Sequence, residues 1–388
     1  MNILVISWNF PPRIGGIENV IYNLWKGLRA RHNLCLITAY NRNAEEDKNI
    51  FRPFVPGLPA FFIFALIKGA FLVCFRKIDL IFCGSGLTVS TCVILGKLFR
   101  KRVAVNVYGL DIIHPNVLYQ LLLNMFLSKC NSIITISGYS KKLLLEKGIP
   151  ASNIRIISPG VDAERFILEI PKEKLKEKYN LSGKKVLLSV GRLAKRKGLA
   201  EFVERSLPRI AREAPETVFL IAGENPVDSL AHKEDTLSNI KDKISRYGLE
   251  RNVRFLGKVD DKSLVEIYNL SDIFVLPAIN VKKDIEGFGI VLIEAASAGS
   301  ICVAAKTGGI PDTIENGKSG FLIECGDYEG LSDTILDLLN NPGKMNAISV
   351  YARERAGKTF DWKIILGKYE ELFNGLVTSV VSDENIVC

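Results

Sequence analysis

Histidine is scarce, three in 388 residues, and the eight cysteines (Cys35, Cys74, Cys83, Cys92, Cys130, Cys302, Cys325, Cys388) form no C-x-x-C pair. Together these scarcities argue against a structural zinc site, which needs Cys and His ligands at short spacing. Most of the cysteines lie in apolar runs, where a thiol behaves as a small hydrophobe, so they read as reduced thiols of a cytoplasmic protein. The first segment, Asn2 to Ser7, starts as a strand with no basic leader before it, so no secretory signal is expected. The fingerprint G-x-G-x-x-G is missing after that strand, which counts against a dehydrogenase. No short repeat or low-complexity segment is present.

What is present is a chain long enough for two domains, with 48% hydrophobic residues to build both cores. A single small binding module is excluded. The net charge of +9 is uneven: residues 1–170 carry 20 Lys and Arg against 10 Asp and Glu, and the remainder 31 against 32. The first half therefore faces something anionic, nucleic acid or the phospholipid of a cytoplasmic leaflet. Charge alone speaks for nucleic acid, and the reading adopted is a membrane surface and no nucleic acid. Arg100-Lys101-Arg102, the densest cluster, reads as a solvated turn. Residues 54–75 are nearly long enough to span a bilayer, but Pro56, Gly57 and Pro59 break the front. About sixteen helical residues remain, with Lys68 in their middle, which is short for a span and carries a charge that costs ~2.5 to 3.5 kcal/mol at the bilayer centre. A plain buried helix is favoured over an in-plane membrane helix, and both over a span.

Short β-rich runs alternate with longer helical patterns, the signature of parallel sheets covered by helices. The strand candidates are Ile3–Ser7, Asn33–Thr38, Leu80–Cys83, Val103–Val107, Ser132–Thr135 and Ile154–Ile157, then Lys185–Val190, Val218–Ala222, Val253–Leu256, Ile273–Leu276, Ile301–Ala304 and Gly320–Ile323. Two α/β halves follow, divided in the lysine-rich stretch Ala163 to Lys184: domains 1–165 and 166–358, with an amphipathic helix and tail over 359–388. Ligands of open parallel sheets bind at the carboxyl ends of strands, so motifs there carry the most weight.

Glu286 and Glu294 are separated by seven residues that change character halfway. Gly287 and Gly289 suit a permissive loop, whereas Ile290 to Ala298 reads as an apolar helix, with one acid before it and the other about two turns inside. At ~1.5 Å per residue the pair would be roughly 12 Å apart, beyond the ~5 to 9.5 Å that two carboxylates flanking one glycosidic bond require. The spacing suits the two ends of an extended ligand. A capping or solvating role for each Glu taken singly stays open.

Three other turns follow strands. Gly15-Gly16, before a helix, allows backbone N–H groups to approach an anion. Gly191 ends a strand and precedes Arg192 and Lys197, a candidate diphosphate clamp, with Lys195 and Arg196 expected to face solvent. Gly308-Gly309 precedes another expected helix and makes a third anion-capable turn.

Together these motifs resemble retaining nucleotide-sugar glycosyltransferases of the GT-B fold, family 4. The matching residues are Phe10-Pro-Pro…Gly15-Gly16…Glu18, Ser158-Pro-Gly-Val-Asp162, Gly191-Arg192…Lys197-Gly198, Phe255-Leu-Gly257, Glu286-Gly-Phe-Gly…Glu294 and Gly308-Gly-Ile-Pro311. The resemblance implies two Rossmann-like domains facing across a cleft, with the C-terminal helix returning to the first domain. It implies that Glu286 and the backbone N–H groups from Gly287 through Phe288, Gly289 and Ile290 meet the donor sugar, and that Glu294 binds the ribose. Arg192 and Lys197 would hold the diphosphate and Gly16, beside Gly15, would close over it. Retention of configuration, no cofactor and no required metal are implied as well, in keeping with the missing Asp-x-Asp pair.

One departure concerns Val105 to Asp111, where relatives carry His-Gly-x-Asp or His-Gly-x-Glu: Tyr108 replaces a histidine near the transferred sugar. A phenol with a pKa near 10 is a poor proton shuttle at neutral pH. Tyr108 can bind a sugar hydroxyl, and His114, past Asp111 on the acceptor side, is a candidate to compensate. Asp284 to Val291 looks like GDP-mannose enzymes, and Val259 and Asp261 lie where such enzymes bind the base. GDP-mannose is favoured over UDP sugars as the donor. The expected function is hexose transfer to a lipid-linked or cell-surface glycan by a peripheral protein on the inner face of the membrane. The alternatives are a non-catalytic GT-B subunit, motivated by Tyr108, and a GT-B sugar-nucleotide epimerase.

Overall fold

A computed structural model describes residues 1–13, 15–42, 47–225, 235–282 and 284–384. Cys388 and Ile14 of the first loop lie outside the described residues. The apolar, β-branched runs become two wholly parallel sheets, as buried strands without polar alternation should. The first sheet is built from β1 (Asn2–Ile6), β2 (Asn33–Ile37), β3 (Ile50–Phe51), β4 (Leu80–Cys83), β5 (Arg102–Val107), β6 (Ser132–Thr135) and β7 (Ile154–Ile156). Its spatial order is β3-β2-β1-β4-β5-β6-β7, with Ile3 opposite both Leu34 and Leu80. The second contains β8 (Lys185–Val190), β9 (Thr217–Ala222), β10 (Val253–Gly257), β11 (Ile273–Leu276), β12 (Ile301–Lys306) and β13 (Gly320–Glu324), ordered β10-β9-β8-β11-β12-β13.

In each sheet the chain winds outward one way and then returns to wind the other way. The switch falls between β1 and β4 in one sheet and between β8 and β11 in the other. Crevices that receive ligands open at such points, beyond the carboxyl ends of the strands. The chain divides into two compact units, one of residues 1–160 completed by the helix from Trp362, the other Val161–Asp361. The terminal helix, Trp362–Glu384, packs on the first unit through Tyr369 and Phe373, whose rings meet Phe82 of β4. The division falls just ahead of the lysine-rich stretch, which is tied into the second unit. There Lys176 Nζ lies 3.0 Å from Asp272 and Lys172 Nζ donates to the Ser271 carbonyl at 2.9 Å.

Three helices cover one face of the first sheet: α2 (Leu58–Phe75) and α3 (Val89–Leu98), with α5 (Val117–Leu127) packed beside α3. On the same unit lie α1 (Gly16–Leu28) and the short α4 (Gly109–Ile113). The helix α2 departs from the buried reading. Phe61, Ala65, Gly69, Leu72 and Val73 enter the core, but Ile63, Ile67, Phe71 and Phe75 stay exposed. It is also long and apolar enough to cross a membrane by length and composition.

Candidate active site

In the second unit, the switch point brings together two loops. One leaves β8 through Gly191 and Arg192 into a tight turn at Lys195–Lys197, and the other leaves β11 and returns through Asp284 to Gly289. The Ile279 N–H donates to the Arg196 carbonyl at 2.9 Å and fastens them. Lys197 Nζ lies 2.9 Å from Glu286 Oε2, and Arg196 Nε lies 3.4 Å from the same oxygen and 3.7 Å from Asp284 Oδ1. Arg196, Lys197 and Asp284 are buried, and the Glu286 side chain is 12% exposed. Burial pushes the Glu286 carboxyl up, but Lys197 and Arg196, aided by Arg192, override it and hold the group below the usual carboxylate range. Arg196 Nε and Glu286 Oε2 are enclosed, and Lys197 and Arg196 together pair the carboxylate. Buried charges persist where they are paired in this way and are costly where one partner is removed.

This cluster corrects the expectation that Arg196 faces solvent. The two buried acids need compensating charge, and the turn directs Arg196 and Lys197 inward while Lys195 and Arg192 stay exposed. The arginine nearest Glu286 is Arg196, and Arg192 stands further out.

Gly289 adopts φ 88°, a left-handed conformation suited to glycine, and from it starts the helix Ile290–Ala298. Glu294 is its fifth residue, so it sits just over one turn inside, short of the two turns expected. Its Oε2 accepts from the Tyr268 hydroxyl at 2.8 Å. Burial raises the Glu294 carboxyl above its ordinary value, with Tyr268, Arg165 and Lys197 acting the other way. Lys197 thus bears on both acids. Arg165 also pairs with Asp261 at 3.0 Å, and Asp261 is 88% exposed. It stands first in its helix, but the cap is Asp260, which accepts from the Ser263 N–H at 2.9 Å. Val259, two residues earlier, is half-buried. The Phe288 side chain is buried and its ring faces Phe360 at 5.9 Å.

The third glycine turn is also corrected. Gly309 donates its N–H to the Glu286 carbonyl at 2.9 Å, and only a three-residue turn, Ile310–Asp312, follows. A side chain on Gly308 would collide with that same carbonyl. The Gly308-Gly309 turn therefore shapes the acidic loop, and the Gly309 N–H is taken by it.

In the first unit, Gly15 precedes α1 and Gly16 opens it, with no side chain capping the helix. Beside it Asn9 Nδ2 donates to Glu18 Oε1 at 2.8 Å. Tyr108, at the end of β5, is 6% exposed, and its hydroxyl lies 3.5 Å from Asn106, which also accepts from Tyr369 at 3.0 Å. Burial drives the Tyr108 phenol well above its ordinary value, reinforced by Tyr369. It stays neutral, so it holds its proton at any physiological pH. Asp111 accepts from the Tyr108 N–H at 3.0 Å and the Tyr119 hydroxyl at 3.0 Å, and burial raises its carboxyl. His114 is exposed, with its ring 5.0 Å from Tyr119 and its Nδ1 accepting from Asn116. The predicted residues thus form one group in the second unit and another in the first.

Sequence reasoning missed Arg196, Asp284, Arg165 and Tyr268 as members. For Asp284 the signal was its spacing of two from Glu286, which places both acids on one side of an extended loop. Tyr268 sits in a helix interior and gave no local sign.

Two doubly wound parallel sheets of this kind are the GT-B architecture, and solved structures agree. Anabaena HepE in complex with UDP matches with a TM-score of 0.79 at 20% identity, over 97% of this chain and 100% of that one. The family models "Glycosyltransferase Family 4" and "Glycosyl transferases group 1" match residues 14–165 and 171–355. The chain belongs to the family 4, group 1 glycosyltransferases. Among curated relatives, the GDP-mannose-dependent alpha-(1-6)-phosphatidylinositol monomannoside mannosyltransferase of Mycolicibacterium smegmatis is 25% identical, over 96% of this chain and 98% of its own length. Glycogen synthase of Mycobacterium tuberculosis is 30% identical over a shorter stretch, 61% of this chain and 52% of that protein.

Proposed function

We propose that this glycosyltransferase moves mannose from GDP-mannose, with retention and without a metal or cofactor, to a lipid-linked or cell-surface glycan at the inner face of the membrane. The observation that carries the reading is the buried Lys197–Glu286–Arg196 contact at the switch point of the second sheet. The full-length likeness to a GDP-mannose-dependent mannosyltransferase supports the choice of donor.

In this reading Glu286 accepts from hydroxyls of the sugar and Glu294 from the ribose. Lys197 bears on both acids, which supports its role as a partner of the diphosphate that links sugar and ribose. As the bond from the anomeric carbon to the phosphate oxygen breaks, negative charge grows on the leaving diphosphate. Lys197 and Arg192 stabilise that charge more than they stabilise the bound ground state. The acceptor oxygen bonds to the anomeric carbon, and its proton passes to the departing phosphate. Tyr108 keeps its own proton and serves, at most, to position sugar.

A thermal-shift screen tests the donor, since a ligand that binds only the folded chain raises the melting point by mass action. GDP-mannose is expected to give the largest rise, and a larger rise with a UDP sugar overturns the choice of base. A non-catalytic subunit is the second reading, favoured by the neutral, buried Tyr108. Donor stabilisation without turnover on any lipid-linked acceptor would select it.

A further inference from the structure

The outward side of α2, α3 and α5 has no business being apolar in a soluble helix layer. On α2 the exposed Ile63, Ile67, Phe71 and Phe75 recur every four residues, opposite the buried series Phe61, Ala65 and Gly69. Both faces of that helix are thus apolar, where a surface helix normally turns a polar face outward. Ile67 is 68% and Phe75 71% exposed. The neighbouring α3 adds Ile94 and Leu98, and α5 adds Val117, Leu118 and Leu121, Val117 being 82% exposed. Ahead of α2, Phe54 and Val55 project beside an apolar groove of about 560 Å³ that also takes in Ile63 and Ile67. Such a continuous exposed patch marks an interaction surface.

Its charge selects the partner. From Arg52 to Arg102 there are eight Lys and Arg and one acid, Asp79, which already accepts from the Asn2 N–H at 2.8 Å. At the end of α2 a polar cavity of about 460 Å³ gathers Arg29, Lys48 and Arg76. Arg29 pairs with Asp47, while Lys48 and Arg76 make no ion pair among the described residues. A second copy of the chain would bring this excess of cations against itself.

We propose that this three-helix face docks on an anionic lipid bilayer, its apolar side chains entering the headgroup boundary and the Lys48–Arg76 cavity receiving a lipid phosphate. The helix α5 also bears Tyr119, which binds Asp111, so the docked face continues toward the acceptor-side group and the acceptor is drawn from the membrane. That last step rests on the lipid-linked acceptor proposed above. Docking itself is read without any turnover, so the two fail separately.

The test is flotation of the full chain with vesicles of phosphatidylglycerol and phosphatidylcholine in equal parts, or of phosphatidylcholine alone. The wild type is expected to float with the anionic vesicles. The I67E/F71E variant, at exposed positions, should lose at least about tenfold in binding while keeping its melting point. The K48E/R76E variant should lose about tenfold on anionic vesicles and its preference for them. No flotation with anionic vesicles, or flotation indifferent to I67E/F71E, overturns the proposal. So does a dimer in sedimentation that I67E/F71E abolishes while the wild type leaves vesicles unbound.

Discussion

The two units repeat one topology and load its switch point differently. In the second unit, two acids and two cations, Asp284 and Glu286 with Arg196 and Lys197, lie in direct contact, with Glu286 held below the usual carboxylate range, and a third acid, Glu294 beside Tyr268, is shifted the other way. In the first, the equivalent region holds hydroxyls, amides and two carboxyls met by uncharged donors, Asp111 by Tyr119 and the Tyr108 N–H and Glu18 by Asn9, while Lys97, Arg100, Lys48 and Arg76 are exposed. The difference teaches that the same fold serves two tasks. One unit spends its charge inward, on a site for a polar ligand, and the other outward.

Removing the inward charge should have the largest effect. Glu286→Ala leaves Lys197 buried without its acid and Arg196 with Asp284 alone, a change expected to cost about 3–5 kcal/mol of stability in urea unfolding. Transfer by the folded variant should fall by about 10²–10³ in kcat. The two arginines sharpen the contrast within that unit. Arg196→Ala should destabilise by about 3 kcal/mol or more because it strips a buried pair, whereas exposed Arg192→Ala should alter stability by no more than about 0.5 kcal/mol and still lower kcat.

The two acids should respond to pH in opposite senses. Glu286 titrates below its unfolded value, so its contribution is present above that value and is lost as pH falls through the depressed folded one. Glu294 titrates above its unfolded value, so its favourable contribution exists only below that value and is lost as pH rises through the raised folded one. Glu294→Gln, which can still accept from Tyr268, should therefore melt higher than the wild type at pH 7. Melting curves from pH 4 to 8 should show that gap closing toward acid. The smallest effect is expected in the first unit: Tyr108→Phe removes a long hydrogen bond from a phenol that never ionises. Its kcat/KM should stay within about tenfold of the wild type, whereas loss of a working proton shuttle would cost about 10²–10⁴.

Much of this is legible in the sequence. Leu80–Cys83, Ser132–Thr135, Lys185–Val190, Ile273–Leu276 and the helix Ile290–Ala298 fall where their apolar runs place them, because a run that must be buried on both faces has few other outlets. The strand Ile50–Phe51 was missed, since two residues at a sheet edge leave no pattern. The outward face of α2 was illegible for a different reason. When every position is apolar, periodicity cannot separate the side that meets the sheet from the side that does not. Arg196 was misplaced because a run of three cations looks solvated until the acids that draw one inward, Asp284 and Glu286, are brought beside it. Tyr108 gave its chemistry from sequence, but its enclosure by Asn106 and Tyr369 depends on the terminal helix, 263 residues away from Asn106.

The account's central claim is that Glu286 grips the sugar end of the donor and Glu294 the ribose end. Calorimetric binding of the free nucleotide diphosphate, compared with turnover, in Glu286→Gln and Glu294→Gln tests it most directly. Glu286→Gln should lose transfer by about 10² or more while binding the free diphosphate within about threefold of the wild type. Glu294→Gln should weaken that binding by about tenfold, the worth of a hydrogen bond to a charged group. Equal weakening of the free diphosphate by both variants, or undiminished transfer by Glu286→Gln, would contradict it.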